Sequence, residues 1–388
     1  MIGYLAANDG TASGPAAQSA GALMRATGRN VGNLAFWYAT RRLFDDEVTF
    51  VPWKTKGVAL PTNLRALVIP AANFIGAHAN LAPIIEIIRE LDVPTLVVGL
   101  GAQSESEAAA PAVNGTVTEF LAEAARRAPY LAVRGEYSAQ VCRDFGVPNV
   151  KALGCPSVLM NKDQDLGKLI AGKIAALEPD HIAIHAACRK GNLTNVEREF
   201  IRYVNLYPGS SYVVQRPPEL AAAIFQDPLM PADSAYLGEM AQFLAMRDGA
   251  DELQQFLRRF GYVPTSIDSW SAFLRRFSCS INTRIHGTMI ALQTGIPALC
   301  VTHDTRTREL ATRMKMPALD VPKFVESRYD IKRLFQVTRF DGAAFDAGRR
   351  EVAHEYVTLF KTFGLTPSRH LLAFTQERSN SAAMARVA

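Results

Sequence analysis

SCSINTRIHGTMIALQTG, residues 278–295, reads as an apolar strand, a polar turn and a helix that ends at Gly295. The turn carries Arg284 and His286 immediately before the helical segment begins. In a parallel sheet the loop after a strand lies at the ligand-binding edge, and the helix that comes next offers unpaired N–H groups and a positive dipole end. The stretch therefore predicts a parallel α/β sheet with an anion site at its carboxyl edge.

Strand-like and helix-like segments alternate along the whole chain. In the first half we expect strands at residues 64–70, 94–99, 130–133 and 149–153, separated by helices at 82–91, around 117–124 and at 136–145. The alternation resumes around the opening stretch, at residues 181–186, 211–215, 297–302 and 305–314. Strands separated by helices of this length form βαβ units with parallel, right-handed crossovers.

The length of 388 residues exceeds what one ordinary hydrophobic core holds, and residues 161–179 form a charged segment without a strand. We therefore predict an α/β fold with two Rossmann-like domains that face a cleft. These are residues 1–165 and 176–342, followed by a C-terminal helix and tail at 343–388. Ligands of such sheets bind beyond the carboxyl ends of the strands, so the cleft is the expected site.

Composition narrows the class of partner. Hydrophobic residues make up 48% and charged residues 20%, as in a soluble globular protein. The net charge of +5 comes without a basic run or a basic-aromatic stripe, so we expect no nucleic-acid partner. This charge is compatible with an anionic small substrate or with brief contact with an acidic membrane surface. The sequence makes no prediction of oligomeric state.

The compartment is predicted from features that the sequence lacks. No apolar run reaches the roughly 18 residues that cross a bilayer, and the first residues lack the basic and apolar regions of a signal peptide. The five cysteines form no CxxC pair, and their odd number suits a reducing compartment. We expect a cytoplasmic protein, with contact at the inner face of the membrane left open.

The polar turn supplies the main candidate site residues. Arg284 can fork onto a carboxylate or a phosphate, and His286 can exchange a proton near neutral pH. Gly287 would let the backbone approach a ligand, with Thr288 beside it in the first helical turn. Alternatively, Arg284 pairs with a surface carboxylate and His286 packs as a neutral imidazole.

Further candidates come after other strands or open other helices. Arg134, in AVRGEYS, ends an apolar strand, and a buried arginine there needs an anionic partner, either a ligand or a structural carboxylate. Gln103 closes the loop GLGAQ, which is a ligand loop or a tight turn. Arg29 and Asn33, in TGRNVGNLAFW, are candidate ligand contacts, although Asn33 also suits a plain helix N-cap. His185 ends the strand HIAIHA and is expected to face the cleft.

No pattern of His, Cys, Asp or Glu has the spacing of a metal site. The sequence also lacks a GxGxxG or GxxxxGK[ST] phosphate loop and a GxSxG nucleophile elbow. We therefore predict no bound metal and no tightly bound cofactor.

Two segments resemble the polysaccharide pyruvyl transferases. They are AVRGEYSAQVCRDFGVPNVKALGCPSVLM and INTRIHGTMIALQTGIPALCVTHDTRTRELATRMKMP. In that family an arginine follows a strand in a VR-x-x-x-S stretch, and an RIHG or RLHA loop lies in the second domain. The resemblance covers roughly residues 94–317. This chain departs from the family at one position, where Cys155 and Pro156 replace the acidic residue that family members often carry.

The resemblance implies a glycosyltransferase-B-like architecture and a donor substrate, phosphoenolpyruvate. Pyruvate would pass to two hydroxyls of a sugar in a cell-surface polysaccharide or its lipid-linked precursor, forming a cyclic ketal and releasing phosphate. Carried over by motif, Arg134, Arg284 and His286 form the donor site, with His286 and Arg284 as the catalytic residues.

Two other functions stay open. One is a nucleotide-sugar glycosyltransferase of the same architecture, in which Glu309 could hold the ribose hydroxyls. The other is a catalytically silent protein that binds a sugar or an anion.

Overall fold

Two parallel six-stranded sheets form the framework of the structure, a computed structural model that describes residues 1–14, 19–53, 59–77, 79–104, 111–227 and 233–376. The strands of the first sheet are β1 (Ile2–Tyr4), β2 (Val48–Phe50), β3 (Ala66–Pro70), β4 (Thr95–Leu100), β5 (Leu131–Val133) and β6 (Val150–Ala152). Those of the second sheet are β7 (Ile182–His185), β8 (Ser211–Val213), β9 (Gly261–Tyr262), β10 (Cys279–Asn282), β11 (Ala298–Thr302) and β12 (Ala318–Asp320).

Helices connect these strands and cover both faces of the sheets. Those of the first half are α1 (Ala20–Ala26), α2 (Asn33–Arg41), α3 (Ala82–Leu91), α4 (Gly115–Arg126), α5 (Glu136–Asp144) and α6 (Leu166–Ala175). The next are α7 (Thr194–Leu206), α8 (Pro218–Phe225), α9 (Ser234–Leu244), α10 (Gly249–Phe260), α11 (Ile267–Leu274) and α12 (Ile285–Gln293). The last are α13 (Thr305–Arg313), α14 (Val321–Glu326), α15 (Ile331–Thr338), α16 (Gly342–Thr362) and α17 (Arg369–Leu372). Within the described part of the chain, no helix combines the length and apolar character needed to cross a bilayer.

The strand orders identify both sheets as Rossmann-like. The first runs β2-β1-β3-β4-β5-β6 and the second β12-β11-β10-β7-β8-β9, and all neighbouring strands are parallel. The order reverses between β1 and β3 in the first sheet and between β7 and β10 in the second, and ligands of open α/β sheets bind at such switch points. The predicted α/β class, with two Rossmann-like units in a glycosyltransferase-B-like arrangement, is confirmed.

The strands missed by the sequence pattern are short. The strands β1, β2, β9 and β12 have two or three residues each, too few to show a period. By contrast, β3 and β4 are apolar and buried on both faces, as central parallel strands are. Helix α12 is buried along its whole length, because it packs on β10 and β11 and also on the short 3₁₀ turn Pro156–Leu159 of the first half.

Helix α16 returns the chain to the first half. Arg349, almost fully buried, donates hydrogen bonds to the carbonyls of Val158 at 3.0 Å and Asp163 at 2.7 Å. Asp346 accepts the N–H of Gly167 at 2.7 Å and so anchors the start of α6. The predicted domain boundaries stay a prediction, since α6 occupies the expected linker and packs on α16. The tail beyond residue 376 lies outside the described residues.

The close contact between α6 and α16 predicts how two glycine substitutions change the free energy of unfolding. A Cβ on Gly167 would lie 2.2 Å from the carbonyl oxygen of Gly342, whereas a Cβ on Gly172 in the same helix would meet nothing within 4 Å. We expect Gly167→Ala to lower the free energy of unfolding by about 1–3 kcal/mol through overpacking. The control Gly172→Ala should raise it by up to about 1 kcal/mol, because alanine favours the helix. Denaturant titration measures both, and equal stability of the two variants would contradict the packing.

Candidate active site

A cleft of about 730 Å³ opens at the carboxyl ends of strands from both sheets. Its walls come from the loops after β3, β4, β7, β8, β10 and β11, so both switch points contribute to it. The polar and charged residues of its lining include Asn30, Asn73, Gln103, Arg189, Lys190, Arg216, Arg284 and Arg306. The cleft therefore lies where the site was expected, and its lining is rich in cations.

Arg284 caps the start of α12 at the edge of the second sheet. Its Nε donates to the carbonyl of Ala186 at 3.0 Å, and its Nη2 donates to the carbonyl of Ala187. Within the described residues Arg284 forms no ion pair, so the alternative of a surface carboxylate partner does not hold. Two carbonyls orient the guanidinium and leave its charge available to a ligand.

A buried carboxylate fixes the loop that holds Arg284. Glu197, on α7, accepts the N–H groups of Ala187 and Cys188, each at 3.1 Å, and the hydroxyl of Thr283 at 2.9 Å. Burial raises the pKa of Glu197, and the charge of Arg284 opposes that rise. Sequence reasoning missed this residue, because a glutamate within an amphipathic helix normally faces solvent.

Arg134 lies just behind the wall contributed by the first sheet and is only 2% exposed. Its Nε donates to the carbonyl of Gly99 at 2.9 Å, and its Nη1 donates to Oδ1 of Asn73 at 2.6 Å. A Cβ on Gly101 would lie 2.7 Å from Cδ of Arg134, so the GLGAQ loop needs a glycine there to admit the arginine. Burial lowers the pKa of Arg134, and a buried cation of this kind is stabilised by an anion.

Glu309 links the two halves behind Arg134. From α13 its carboxylate accepts the N–H of Ser138 at 3.0 Å and the hydroxyl of Ser138 at 2.7 Å. It therefore sits at the start of α5, where a negative charge is favourable. Both oxygens are used, so the ribose-binding part considered for Glu309 does not fit its position.

His286 lies in the first turn of α12 and is 9% exposed. Its Nε2 is 3.9 Å from Sγ of Cys155, and its ring centroid is 5.6 Å from that of Phe36, so the first half encloses it. Burial lowers the pKa of His286 to about 3, and the charges of Arg134 and Arg306 add to this effect. The imidazole is therefore neutral near pH 7 and can accept a proton.

The TGRNVGN loop reaches the cleft through a residue other than those predicted. Arg29 is exposed and does not line the cleft, and Nδ2 of Asn33 donates to the carbonyl of Thr27 at 2.9 Å. Asn30 lines the cleft instead, and Gly32, rather than Asn33, is the N-cap of α2. The predicted contacts of Arg29 and Asn33 are thus corrected to Asn30.

Gln215, after β8, was missed by sequence reasoning. It is 3% exposed, and its Nε2 has no hydrogen-bond partner within the described residues. A Cβ on Gly32 would lie 2.5 Å from Oε1 of Gln215 and 3.5 Å from Nδ1 of His286, so these groups surround one glycine. A buried amide without a partner is costly, and a ligand hydroxyl beside His286 would satisfy it.

Three predicted ligand contacts lie beneath the site instead. His185 has no exposed surface; its Nδ1 is 2.6 Å from Oδ1 of Asn282, and Nε1 of Trp270 donates to its Nε2 at 3.0 Å. Burial lowers the pKa of His185 to about 4. A Cβ on Gly287 would lie 2.4 Å from Cγ of His185, so this glycine serves packing of α12 on β7. Thr288 is also fully buried.

Gln103 keeps its predicted place at the cleft, where its Oε1 accepts from Nδ2 of Asn73 at 3.1 Å.

Four cations that sequence reasoning did not single out line the second half of the cleft, namely Arg189, Lys190, Arg216 and Arg306. They come after β7, β8 and β11, and the rule that found Arg134 and Arg284 would have found them too. Burial, with the charges of Arg284 and Arg306, lowers the pKa of Arg216. No cluster of three or more potential His, Cys, Asp or Glu metal ligands occurs in the described ranges.

The model of the family named Polysaccharide pyruvyl transferase matches residues 30–305. The chain belongs to this family and so to the transferases that act in pyruvyl transfer to polysaccharide. The matched region contains Arg134, Arg284 and His286. The comparison with curated proteins gives no match.

Solved structures of similar fold are distant in sequence. The S. aureus MnaA–UDP structure has 12% identity and a TM-score of 0.46, covering 95% of this chain and 98% of that one. UDP-GlcNAc 2-epimerase from Neisseria meningitidis bound to UDP-GlcNAc has 9% identity and a TM-score of 0.46, covering 92% and 99%. The wall teichoic acid polymerase TagF has 9% identity and a TM-score of 0.41, covering 94% and 88%.

The buried histidines predict a loss of stability in mild acid. Burial lowers the pKa values of His286, His185 and His303 to about 3, 4 and 4, whereas unfolded histidines titrate near about 6.5. The unfolded chain therefore gains protons first, so stability present above pH ~6.5 is lost as the pH falls toward these folded values. We expect a slope of up to about 1.4 kcal/mol per pH unit for each histidine.

Denaturant titrations of the wild type at pH 7, 6 and 5 measure this slope. His286→Gln removes one buried imidazole and should make the slope shallower, whatever its effect on stability at pH 7. An identical slope in the variant would show that His286 titrates alike in the folded and unfolded chains.

Proposed function

We propose that the protein transfers pyruvate from phosphoenolpyruvate onto two hydroxyls of a sugar in a cell-surface polysaccharide or its lipid-linked precursor. The product is a cyclic ketal, and phosphate is released. The observation that carries the proposal is that Arg284 lines the cleft and Arg134 donates to Asn73 in its opposite wall, with His286 two residues after Arg284, in a pyruvyl transferase family member. A lipid-linked acceptor would bring the protein, which we expect in the cytoplasm, to the inner face of the membrane.

The donor suits the charges of the cleft. Phosphoenolpyruvate carries a carboxylate and a phosphate, the two groups that an arginine fork binds best. Within the described residues Arg134 uses Nε and Nη1, and Arg284 uses Nε and Nη2. One terminal nitrogen of each arginine thus stays free for the donor, which would bridge the two halves.

His286 is proposed as the base for the attacking hydroxyl. The sugar oxygen forms a bond to C2 of the donor, the hydroxyl proton passes to His286, and C3 gains a proton to become a methyl group. Phosphate then leaves with the C2–O bond electrons, and the second hydroxyl closes the ketal. Of the two hydroxyl protons, one ends on C3 and the other on phosphate, so the reaction balances.

Donor binding would strengthen this base. Burial, and in addition the charges of Arg134 and Arg306, hold the pKa of His286 near 3. A bound trianion would neutralise the two arginine charges, so the pKa of the imidazole would rise by the part of the shift that these charges cause. The proposed order is therefore donor first and hydroxyl transfer second.

The acceptor would approach from the side of Asn30 and Gln215. The unpartnered amide of Gln215 and Nδ1 of His286 lie around the same glycine, Gly32. A sugar hydroxyl placed there could accept from the amide and donate to the imidazole. The nucleotide-sugar alternative is less well supported, because Glu309 is already bound to Ser138.

Turnover tests the proposal directly. With phosphoenolpyruvate and a panel of α- and β-galactosides, glucosides and mannosamine-containing lipids, we expect acceptor-dependent phosphate release. Arg284→Gln should lower kcat/KM by roughly 100-fold or more, because it removes a charge that stabilises donor and leaving group. The control Arg258→Gln, at an exposed arginine of α10 outside the cleft, should match the wild type.

His286→Ala should abolish turnover while keeping donor affinity, and unchanged turnover would contradict its role as the base.

Ligand stabilisation separates the three functions. We expect phosphoenolpyruvate to raise Tm and UDP- or GDP-sugars to leave it unchanged, since binding to the folded state alone raises stability. The opposite pattern would favour a nucleotide-sugar glycosyltransferase. Stabilisation by a sugar or an anion without turnover across the panel would favour a silent binding protein.

A further inference from the structure

Arg306 lies where the positive charges of the cleft meet. It lines the cleft from the first turn of α13, and its charge adds to the effect of burial, which lowers the pKa values of Arg134, Arg216 and His286. Those three residues belong to the loop after β5, the loop after β8 and the first turn of α12. One guanidinium therefore acts electrostatically on residues of both halves, including the proposed base.

The charge of Arg306 is only weakly compensated by the protein. Its Nε is buried and has no hydrogen-bond partner within the described residues, and its Nη2 is 3.5 Å from Oδ2 of Asp304. The same Oδ2 is closer to Nζ of Lys190, at 3.2 Å. A charged donor left without an acceptor costs free energy, so this position is better explained by a ligand than by folding.

The helix that carries Arg306 gives a second, independent reason to expect a ligand at this position. Arg306 occupies the first turn of α13, where a cation opposes the helix dipole. The hydroxyl of the neighbouring Thr305 donates to the carbonyl of Ser104 at 2.9 Å and accepts its N–H at 3.1 Å. The first turn is thus fastened to the opposite half, and Arg306 is held in place despite the unfavourable dipole.

The free nitrogens divide the site into two parts. Arg134 has one terminal nitrogen left, which suits a singly charged carboxylate. Arg306 uses only Nη2 within the described residues, and Arg284 keeps Nη1, so together they offer three nitrogens and two charges. A phosphate dianion needs that larger set.

We propose that Arg306, together with Arg284, binds the phosphate group of the donor and that Arg134 binds its carboxylate. This inference rests on the proposed function for the identity of the donor. Arg306 would then stabilise the charge that grows on phosphate as the C2–O bond breaks.

Calorimetric titration with phosphoenolpyruvate, inorganic phosphate and pyruvate tests the assignment. Arg306→Gln should weaken the binding of phosphoenolpyruvate and of inorganic phosphate by roughly 10- to 100-fold. The affinity for pyruvate should stay within about twofold of wild type, because Arg134 is intact. Arg306→Lys should restore part of the loss, since lysine keeps the charge without the fork. The control is Arg308→Gln, an exposed arginine of the same helix, which should bind as wild type does.

Two results would overturn the inference. One is an Arg306→Gln protein that binds inorganic phosphate as tightly as wild type; the other is a loss of pyruvate affinity equal to the loss of phosphate affinity. A wild-type protein that binds inorganic phosphate through Arg306 but not phosphoenolpyruvate would contradict the proposed donor and leave the phosphate subsite standing. A wild-type protein that binds neither would overturn both.

Discussion

The burial of α12 between the two halves is the constraint on which the site depends. Every residue from Ile285 to Gln293 is buried, against β10 and β11 on one side and the turn Pro156–Leu159 of the first half on the other. A helix enclosed in this way cannot shift without opening cavities in both halves. The first turn of α12 therefore holds His286 rigidly against Phe36 and Cys155. The helix that joins the two halves thus also positions the proposed base.

Unbalanced positive charge is the second organising feature. Within the described residues, Arg134 and Arg284 donate hydrogen bonds to carbonyls and an amide rather than to carboxylates, and Arg306 shares Oδ2 of Asp304 with Lys190. Burial lowers the pKa values of Arg134 and Arg216, and the charge of Arg306 adds to the effect on both. Such a cluster costs stability in the free protein, and a polyanionic ligand would recover that cost on binding. Under the proposed function, anion binding would therefore also activate His286.

The strand–loop–helix rule predicted which side chains lie at the carboxyl edges of the sheets, whereas residues whose positions depend on tertiary partners were missed. Arg134, Arg284 and His286 each come soon after a buried strand, so their place at the sheet edge could be predicted. His185 obeys the same rule, but Trp270, far along the chain, takes its Nε2 and buries it. In the TGRNVGN loop the choice of Asn30 over its neighbours depends on backbone angles, such as the φ of +62° at Arg29, that composition does not encode. The short edge strands carried too few residues to show a period.

Cys155, the residue beside His286, bears on where the negative charge at this site comes from. The resemblance implies an acidic residue where this chain has Cys155, whose Sγ is 3.9 Å from Nε2 of His286 and accepts the hydroxyl of Ser157 at 3.0 Å. A carboxylate there would raise the pKa of the imidazole and also balance Arg134. A thiol does neither when protonated, so in the free protein the imidazole of His286 stays neutral near pH 7. Under the proposed function, the negative charge that makes His286 an effective base would come from the bound donor, and the base would then work only when there is a pyruvyl group to transfer.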